Sequence, residues 1–146
     1  MAVPMTNILN PYINFKDNAA EAMAFYQSFL GGDLRVSKFG DMGDTSEAAD
    51  LTMHAMLVTD EGFTLMASDS HPSMGEFIAP AGFSVSLSGV GEEKLRAYWE
   101  ALAAEGTIGM PLGKQPWGDV FGHVIDKFGI SWLVNIVSAE NAAARS

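Results

Sequence analysis

The feature that most constrains the fold of this chain is an internal repeat. Ala24, Phe25, Tyr26 and Phe29 lie in one amphipathic stretch; Ala97, Tyr98, Trp99 and Leu102 lie in another, each 73 residues further on in a chain of 146. Around each stretch the same order recurs: a strand-like run, the helix, then three more strand-like runs. Such a unit covers only one face of its sheet with its own helix. Two copies therefore fit a fold in which each module has one covered and one uncovered face.

In the first half, residues 8–15 have strand character, and Pro11, which lacks a backbone donor, suits a strand edge or end. Asp17 or Asn18 can cap the next segment. Residues 19–30 read as a helix with Ala22, Phe25, Tyr26 and Phe29 as its apolar stripe, stopped by Gly31 and Gly32. Residues 33–39 form a second strand. Residues 40–50 are polar and turn-rich, without periodicity, and read as a mobile loop. Strands at 51–59 and 63–68 flank the hairpin signal Asp60-Glu61-Gly62, and a second long loop carrying His71 and Glu76 fills 69–81.

In the second half, residues 82–88 alternate Phe83, Val85 and Leu87 against Ser84, Ser86 and Ser88, the pattern of a half-buried strand. Residues 92–105 form a helix with Leu95, Tyr98, Trp99 and Leu102 inward, and Gly106 stops it. A short strand at 107–112 precedes the most legible part of the chain, a hairpin. Its arms are 120–125 and 130–137. Its turn is Asp126-Lys127-Phe128-Gly129, in which Asp can bond the backbone two residues on and Gly accepts a positive φ. This turn reads as one residue longer than that of the first half. Trp132, Val134 and Ile136 share one face of the last strand, and Ser131, Leu133 and Asn135 the other. Residues 139–146 read as a frayed, alanine-rich tail.

The expected fold is α+β: two βαβββ modules, about 7–69 and 82–137 of a single domain spanning 1–146, forming a curved, mostly antiparallel sheet with helices at 18–30 and 91–105. The uncovered faces would curve together into a cup, a natural place for a small molecule.

Composition narrows the function. With no cysteine there are no disulfides, thiolate metal sites or cysteine nucleophiles, which fits a reducing cytoplasmic compartment. A net charge of −10, with scattered Lys and Arg, argues against nucleic acid and anionic membranes as partners. Residues 1–7 have no basic residue and lead into no long apolar run, so they do not read as a secretory signal, and no window is long enough to span a bilayer.

Pro11-Tyr12-Ile13-Asn14-Phe15-Lys16-Asp17-Asn18-Ala19-Ala20-Glu21-Ala22-Met23-Ala24-Phe25-Tyr26 resembles the opening of PhnB-like proteins, also labelled 3-demethylubiquinone-9 3-methyltransferase-like. These belong to the vicinal oxygen chelate superfamily, with glyoxalase I, bleomycin-resistance proteins and extradiol dioxygenases. Phe39-Gly40-Asp41-Met42, Met53-His54-Ala55, Leu65-Met66-Ala67-Ser68-Asp69 and the segment from Trp117 to Trp132 extend the resemblance to about residues 7–137. No glycine-rich loop after a strand supports the methyltransferase label. The resemblance implies a divalent metal in the cup, held by His, Gln or Glu on the first and last strands of each module. Those positions fall at Asn10, near Met66, at Phe83 or Ser84, and at Leu133 or Asn135. None is His or Glu, and methionine and phenylalanine do not hold hard cations. The expectation is therefore no metal cofactor.

The candidate ligand-binding residues are Asn10, His54, Trp117, Phe121 and Asn135. Asn10 and Asn135 are polar residues in apolar strands, fit either to contact a ligand or to bond within the protein. Trp117 and Phe121 offer flat surface to a ligand, or equally to a core or subunit interface. His54 also fits the simpler reading of a core histidine. Measured back from the turn aspartates it differs in parity from His123, so the two are not paired. His71 reads as exposed and Glu76 as solvated. Nine methionines suit an adaptable apolar cavity or plain core filling. The expected function is binding of a small, partly apolar molecule by a homodimer, much as bleomycin-resistance proteins sequester a drug. Two alternatives are a glyoxalase- or dioxygenase-type enzyme whose metal uses displaced ligands such as His54 and Glu76, and a dimeric module with no ligand.

Overall fold

A computed structural model describes residues 7–145. The stretch inspected for a secretory signal thus lies, up to residue 6, outside the described residues, as does Ser146. The strands are β1 (Tyr12–Phe15), β2 (Asp33–Lys38), β3 (Thr52–Val58), β4 (Thr64–Asp69), β5 (Val85–Gly89), β6 (Thr107–Lys114), β7 (Val120–Ile125) and β8 (Ser131–Ile136). The helices are α1 (Ala19–Leu30), α2 (Glu92–Ala103) and α3 (Ala139–Arg145). The chain divides into two units, residues 1–79 and 80–146.

Each unit holds one four-stranded sheet and repeats one topology. The strand order is β1-β4-β3-β2 in the first and β5-β8-β7-β6 in the second. The first strand of each lies parallel to the last, and the other pairings are antiparallel. The helices obey the 73-residue repeat at both ends, from 19 to 92 and from 30 to 103.

The hairpins obey a different shift. Thr59 N donates to Phe63 O and Gly62 N to Thr59 O; Asp126 N donates to Ile130 O and Gly129 N to Asp126 O. Thr59, Gly62 and Phe63 thus correspond to Asp126, Gly129 and Ile130, each 67 residues on. The turns are equal in length, contrary to the sequence reading, because Thr59 and not Asp60 is the counterpart of Asp126. The first unit has six more residues between helix and hairpin. There the chain makes two short 3-10 turns, Phe39–Met42 and Glu47–Asp50. The stretch read as a mobile loop is thus turned and bonded: Phe39 N donates to Leu51 O, and Ser46 caps the second turn at Ala48 N.

Each helix covers one sheet face. Ala19, Ala22, Met23, Tyr26 and Leu30 of α1 pack with Ile13, Phe15, Ala55, Leu57, Leu65 and Ala67 buried in the sheet. Phe25 and Phe29 only flank this stripe and meet edge-on, centroids 5.4 Å apart. The buried arc is rotated toward Met23 and Leu30 relative to the expected one. In the second unit Leu95, Tyr98, Trp99 and Leu102 are buried as read, with Val124, Trp132, Val134 and Ile136 beneath them. Gly122 is required there: a β-carbon would stand 2.8 Å from the Trp99 ring and 2.9 Å from Leu112 Cα.

The start of α1 is fixed by tertiary contact. Asn18 makes no side-chain cap, and Asp17 has φ 69°. The buried Asp69 carboxylate at the end of β4 receives Ala19 N at 2.9 Å and Thr52 N at 2.9 Å instead. It meets the helix dipole and two otherwise orphaned donors. Residues 139–145 of the expected frayed tail form α3 instead. The buried Asp119 accepts from Ser138 N (2.9 Å) and Asn141 Nδ2 (2.7 Å), which holds α3 to β7. No helix among the described residues is long and apolar enough to cross a membrane.

Candidate functional site

In each unit the sheet face away from the helix carries the residues with chemistry. In the first unit, strand alternation and register bring Tyr12, His54, Met56 and Met66 to that face; Tyr12 pairs with Met66, and Met66 with Met56. Tyr12 Oη lies 3.2 Å from His54 Nδ1, with ring centroids 5.7 Å apart. Asn10 precedes β1 rather than lying in a strand, and its amide donates to Pro11 O at 3.0 Å.

In the second unit the same face carries Phe121, His123 and Ile125 of β7, Ser131, Leu133 and Asn135 of β8, and the serines of β5. Phe121 pairs with Asn135 across the strands and stands edge-on to Trp117, centroids 6.3 Å apart; Trp117 lies in the turn before β7 and is more than half exposed. Asn135 Nδ2 donates to Asp119 Oδ2 at 3.0 Å. Its amide nitrogen is thereby tied to a buried carboxylate. Of the five candidate residues, Trp117, Phe121 and Asn135 come together in one unit, and Asn10 and His54 belong to the other.

His54 and His123 both lie on the helix-free face of their own sheet, since their neighbours Ala55 and Val124 are fully buried under the helices. Counted back from Thr59, the counterpart of Asp126, His54 has the same parity as His123, contrary to the sequence reading.

Toward the hairpin-turn end of β7 and β8 the second unit has an open cleft of about 470 Å³. Phe83, Ile125 and Ile130 give it apolar walls, and Ser84, His123 and Ser131 its polar atoms. His123 Nε2 is 2.8 Å from Ser131 Oγ, and Ser131 Oγ is 2.6 Å from Ser84 Oγ. Sequence reasoning passed over this relay. Its only linear trace is the Ser84, Ser86, Ser88 alternation, which reads as a solvent face; the join to β8 depends on the parallel β5–β8 register.

A second polar cluster joins the two loops of the first unit. Asp44 Oδ2 is 2.7 Å from His71 Nε2, while Asp44 Oδ1 accepts from Ser46 N (2.7 Å) and Ser46 Oγ (2.6 Å). The Ser46 hydroxyl, the Ser46 backbone N–H and His71, in that order, lower the Asp44 pKa to about 2. His71 Nδ1 receives Ser73 N at 3.1 Å, and its ring meets Phe39 edge-on at 4.7 Å. His71, read as exposed, is therefore four-fifths covered and bonded. Glu76 is exposed.

The positions that the family resemblance assigns to a divalent metal carry an amide, a thioether, serine or phenylalanine, and leucine or asparagine. Hard cations need several oxygen or imidazole donors, most of them charged or strongly basic; this set offers no carboxylate and no imidazole, so these residues do not fit the ion. Among the described residues no group of three or more His, Asp or Glu is placed to hold one elsewhere.

The family model described as Glyoxalase/Bleomycin resistance protein/Dioxygenase superfamily matches residues 8–134. Protein YjdN of Escherichia coli (strain K12) is 31% identical over 144 residues, covering 90% of this chain and 97% of its own. The crystal structure of protein PA1353 from Pseudomonas aeruginosa superposes with a TM-score of 0.80 at 37% identity, over 89% of this chain and 97% of that one. The putative 3-demethylubiquinone-9 3-methyltransferase, PhnB protein, from Bacillus cereus gives a TM-score of 0.70 at 26% identity, over 88% and 98%.

Proposed function

Since the chain belongs to the glyoxalase/bleomycin resistance protein/dioxygenase superfamily and is PhnB-like, we propose that it binds a small, partly apolar molecule on the helix-free face of its sheet, without a divalent metal. The observation that carries this reading is the cleft of the second unit. Its volume suits a ligand of drug-fragment size, and apolar walls around a few convergent polar groups are the usual make-up of a small-molecule site. Trp117, Phe121 and Asn135 extend that surface along β7 and β8. On the corresponding face of the first unit, His54, with Tyr12 and the paired Met56 and Met66, supplies a second adaptable patch, with Asn10 at its margin.

The chemistry of the donor set supports the metal-free part. Displaced coordination by His54 and Glu76 draws no support, because among the described residues no group of three or more His, Asp or Glu is placed to hold an ion. The test combines elemental analysis of protein purified without chelator with ligand-observed NMR on a fragment library. Fragment binding that shifts the amides of residues 83, 84, 123 and 131, with well under one metal per chain, is the expected result. Stoichiometric metal refutes the metal-free reading, and a library with no hit at this face refutes the site.

The same reading takes the chain as a homodimer in the cytoplasm. The edge strand β6 presents Ile108 and Met110, both more than 40% exposed, beside open backbone donors and acceptors. A concentration-independent monomer mass in sedimentation at micromolar protein would overturn the dimer.

A further inference from the structure

The polar side of the cleft is a chain of an imidazole and two hydroxyls, His123–Ser131–Ser84, with links of 2.8 and 2.6 Å. Such a chain can run in either direction, since a hydroxyl both donates and accepts. The other nitrogen of His123 decides which. A β-carbon at residue 109 would stand 2.3 Å from His123 Nδ1 and 2.9 Å from Cε1. Gly109 instead brings an α-hydrogen close against Nδ1, which crowds a proton there. With Nδ1 unprotonated, a neutral ring carries its proton on Nε2, the nitrogen facing Ser131.

We propose that the relay runs outward, from His123 Nε2–H to Ser131 and from Ser131 to Ser84, so that the exposed Ser84 hydroxyl is a committed hydrogen-bond donor and the cleft selects small neutral carbonyl compounds with an aromatic or branched apolar body. The Ser131 oxygen is occupied by the imidazole proton, and its own proton is given to Ser84. Ser84 has its proton left for the ligand. A carbonyl oxygen takes that proton, a hydrocarbon of equal shape leaves it unanswered, and an ammonium group has no lone pair to accept it. A site built to donate one hydrogen bond discriminates against analogues that cannot accept it. Neutral ligands are favoured over carboxylates because no Lys or Arg lines the cleft and the chain carries a net charge of −10. The apolar walls of Phe83, Ile125 and Ile130 hold the hydrocarbon part.

This inference rests on the cleft being the binding site proposed above, and the experiment separates the two. Acetophenone, ethylbenzene and benzylamine are titrated into the intact protein and followed by amide shifts and saturation transfer. Acetophenone is expected to bind about 5–10-fold more tightly than ethylbenzene, the size of one net hydrogen bond. Benzylamine should bind no better than ethylbenzene. Ser84→Ala, at an exposed position, should bring acetophenone down to the affinity of ethylbenzene in the same variant, and Ser131→Ala should reduce the preference. Long-range proton–nitrogen spectra of His123 should show the Nε2–H tautomer. Equal binding of acetophenone and ethylbenzene, a preference that survives Ser84→Ala, or an Nδ1–H tautomer overturns the relay while leaving the cleft as a site. Absence of binding by all three at millimolar concentration overturns the cleft itself, and the relay with it.

Discussion

Replacing Asp126 by asparagine removes one carboxylate oxygen while keeping nearly the same shape, and the structure makes the cost specific. Asp126 is buried at the β7–β8 turn. Its Oδ1 accepts from Phe128 N at 2.8 Å and Ile130 N at 3.0 Å, and its Oδ2 from Trp132 Nε1 at 2.8 Å. An asparagine oxygen can keep the two backbone bonds. Its NH₂ then faces the indole N–H, donor against donor. The loss is one charge-assisted hydrogen bond at the fully buried Trp132, replaced by a donor facing a donor. The expected destabilisation is about 2–4 kcal/mol. Trp132→Phe removes the opposing donor, so Asp126→Asn in that background should cost at least about 1 kcal/mol less than alone. Urea unfolding followed by circular dichroism of the four proteins measures both quantities. If Asp126→Asn lies within about 0.5 kcal/mol of the parent, or the two changes add without coupling, the reasoning is refuted.

Asn135→Ala should do more than trim a ligand contact: it removes a donor from the buried Asp119, so a loss of about 1–3 kcal/mol in unfolding free energy is expected. An unchanged urea midpoint would show that Asp119 does not need that amide. Gly122→Ala pushes a methyl into Trp99 and the Leu112 backbone and should cost about 1–3 kcal/mol by the same measurement. Asp44 predicts an acid-side signature. Its pKa is depressed from 3.8 to about 2, so its contribution to stability is fully present above the unfolded value and is lost as pH falls from about 4 toward 2. Asp44→Asn should flatten the fall of the urea midpoint across that window, and identical slopes would argue against the clasp with His71. For the metal, chelator treatment of freshly purified protein should leave its melting temperature unchanged; a drop restored by a divalent cation would count against the metal-free reading.

The sequence by itself determined the two βαβββ modules, because the signals are local. The bounds of β7 agree with the reading to the residue and those of α1 within one, since a period of 3.6 ended by Gly31, and an apolar run ended by Asp126, need no distant partner. Trp132, Val134 and Ile136 turned inward as alternation requires, and Asn135 outward. Asp126 bonds Phe128 N as an aspartate at a turn does. Only the tertiary structure decided what depended on partners far along the chain. Asp69 caps α1 from fifty residues away, displacing the local candidates Asp17 and Asn18. Asp119 orders the tail, and Asp44 holds His71 between two loops that have no periodicity to read. The equivalence of Thr59 with Asp126 is hidden in the sequence because a hydroxyl and a carboxylate do the same hydrogen-bonding work in the two turns: Phe63 N donates to Thr59 Oγ1, and Ile130 N to Asp126 Oδ1. The relay at the cleft is the sharpest case. Ser84, His123 and Ser131 meet through a parallel strand register and the absence of a β-carbon at Gly109. Strand pairing and close approach are properties of the packed chain, and a one-residue slip in either would have turned those side chains away from one another.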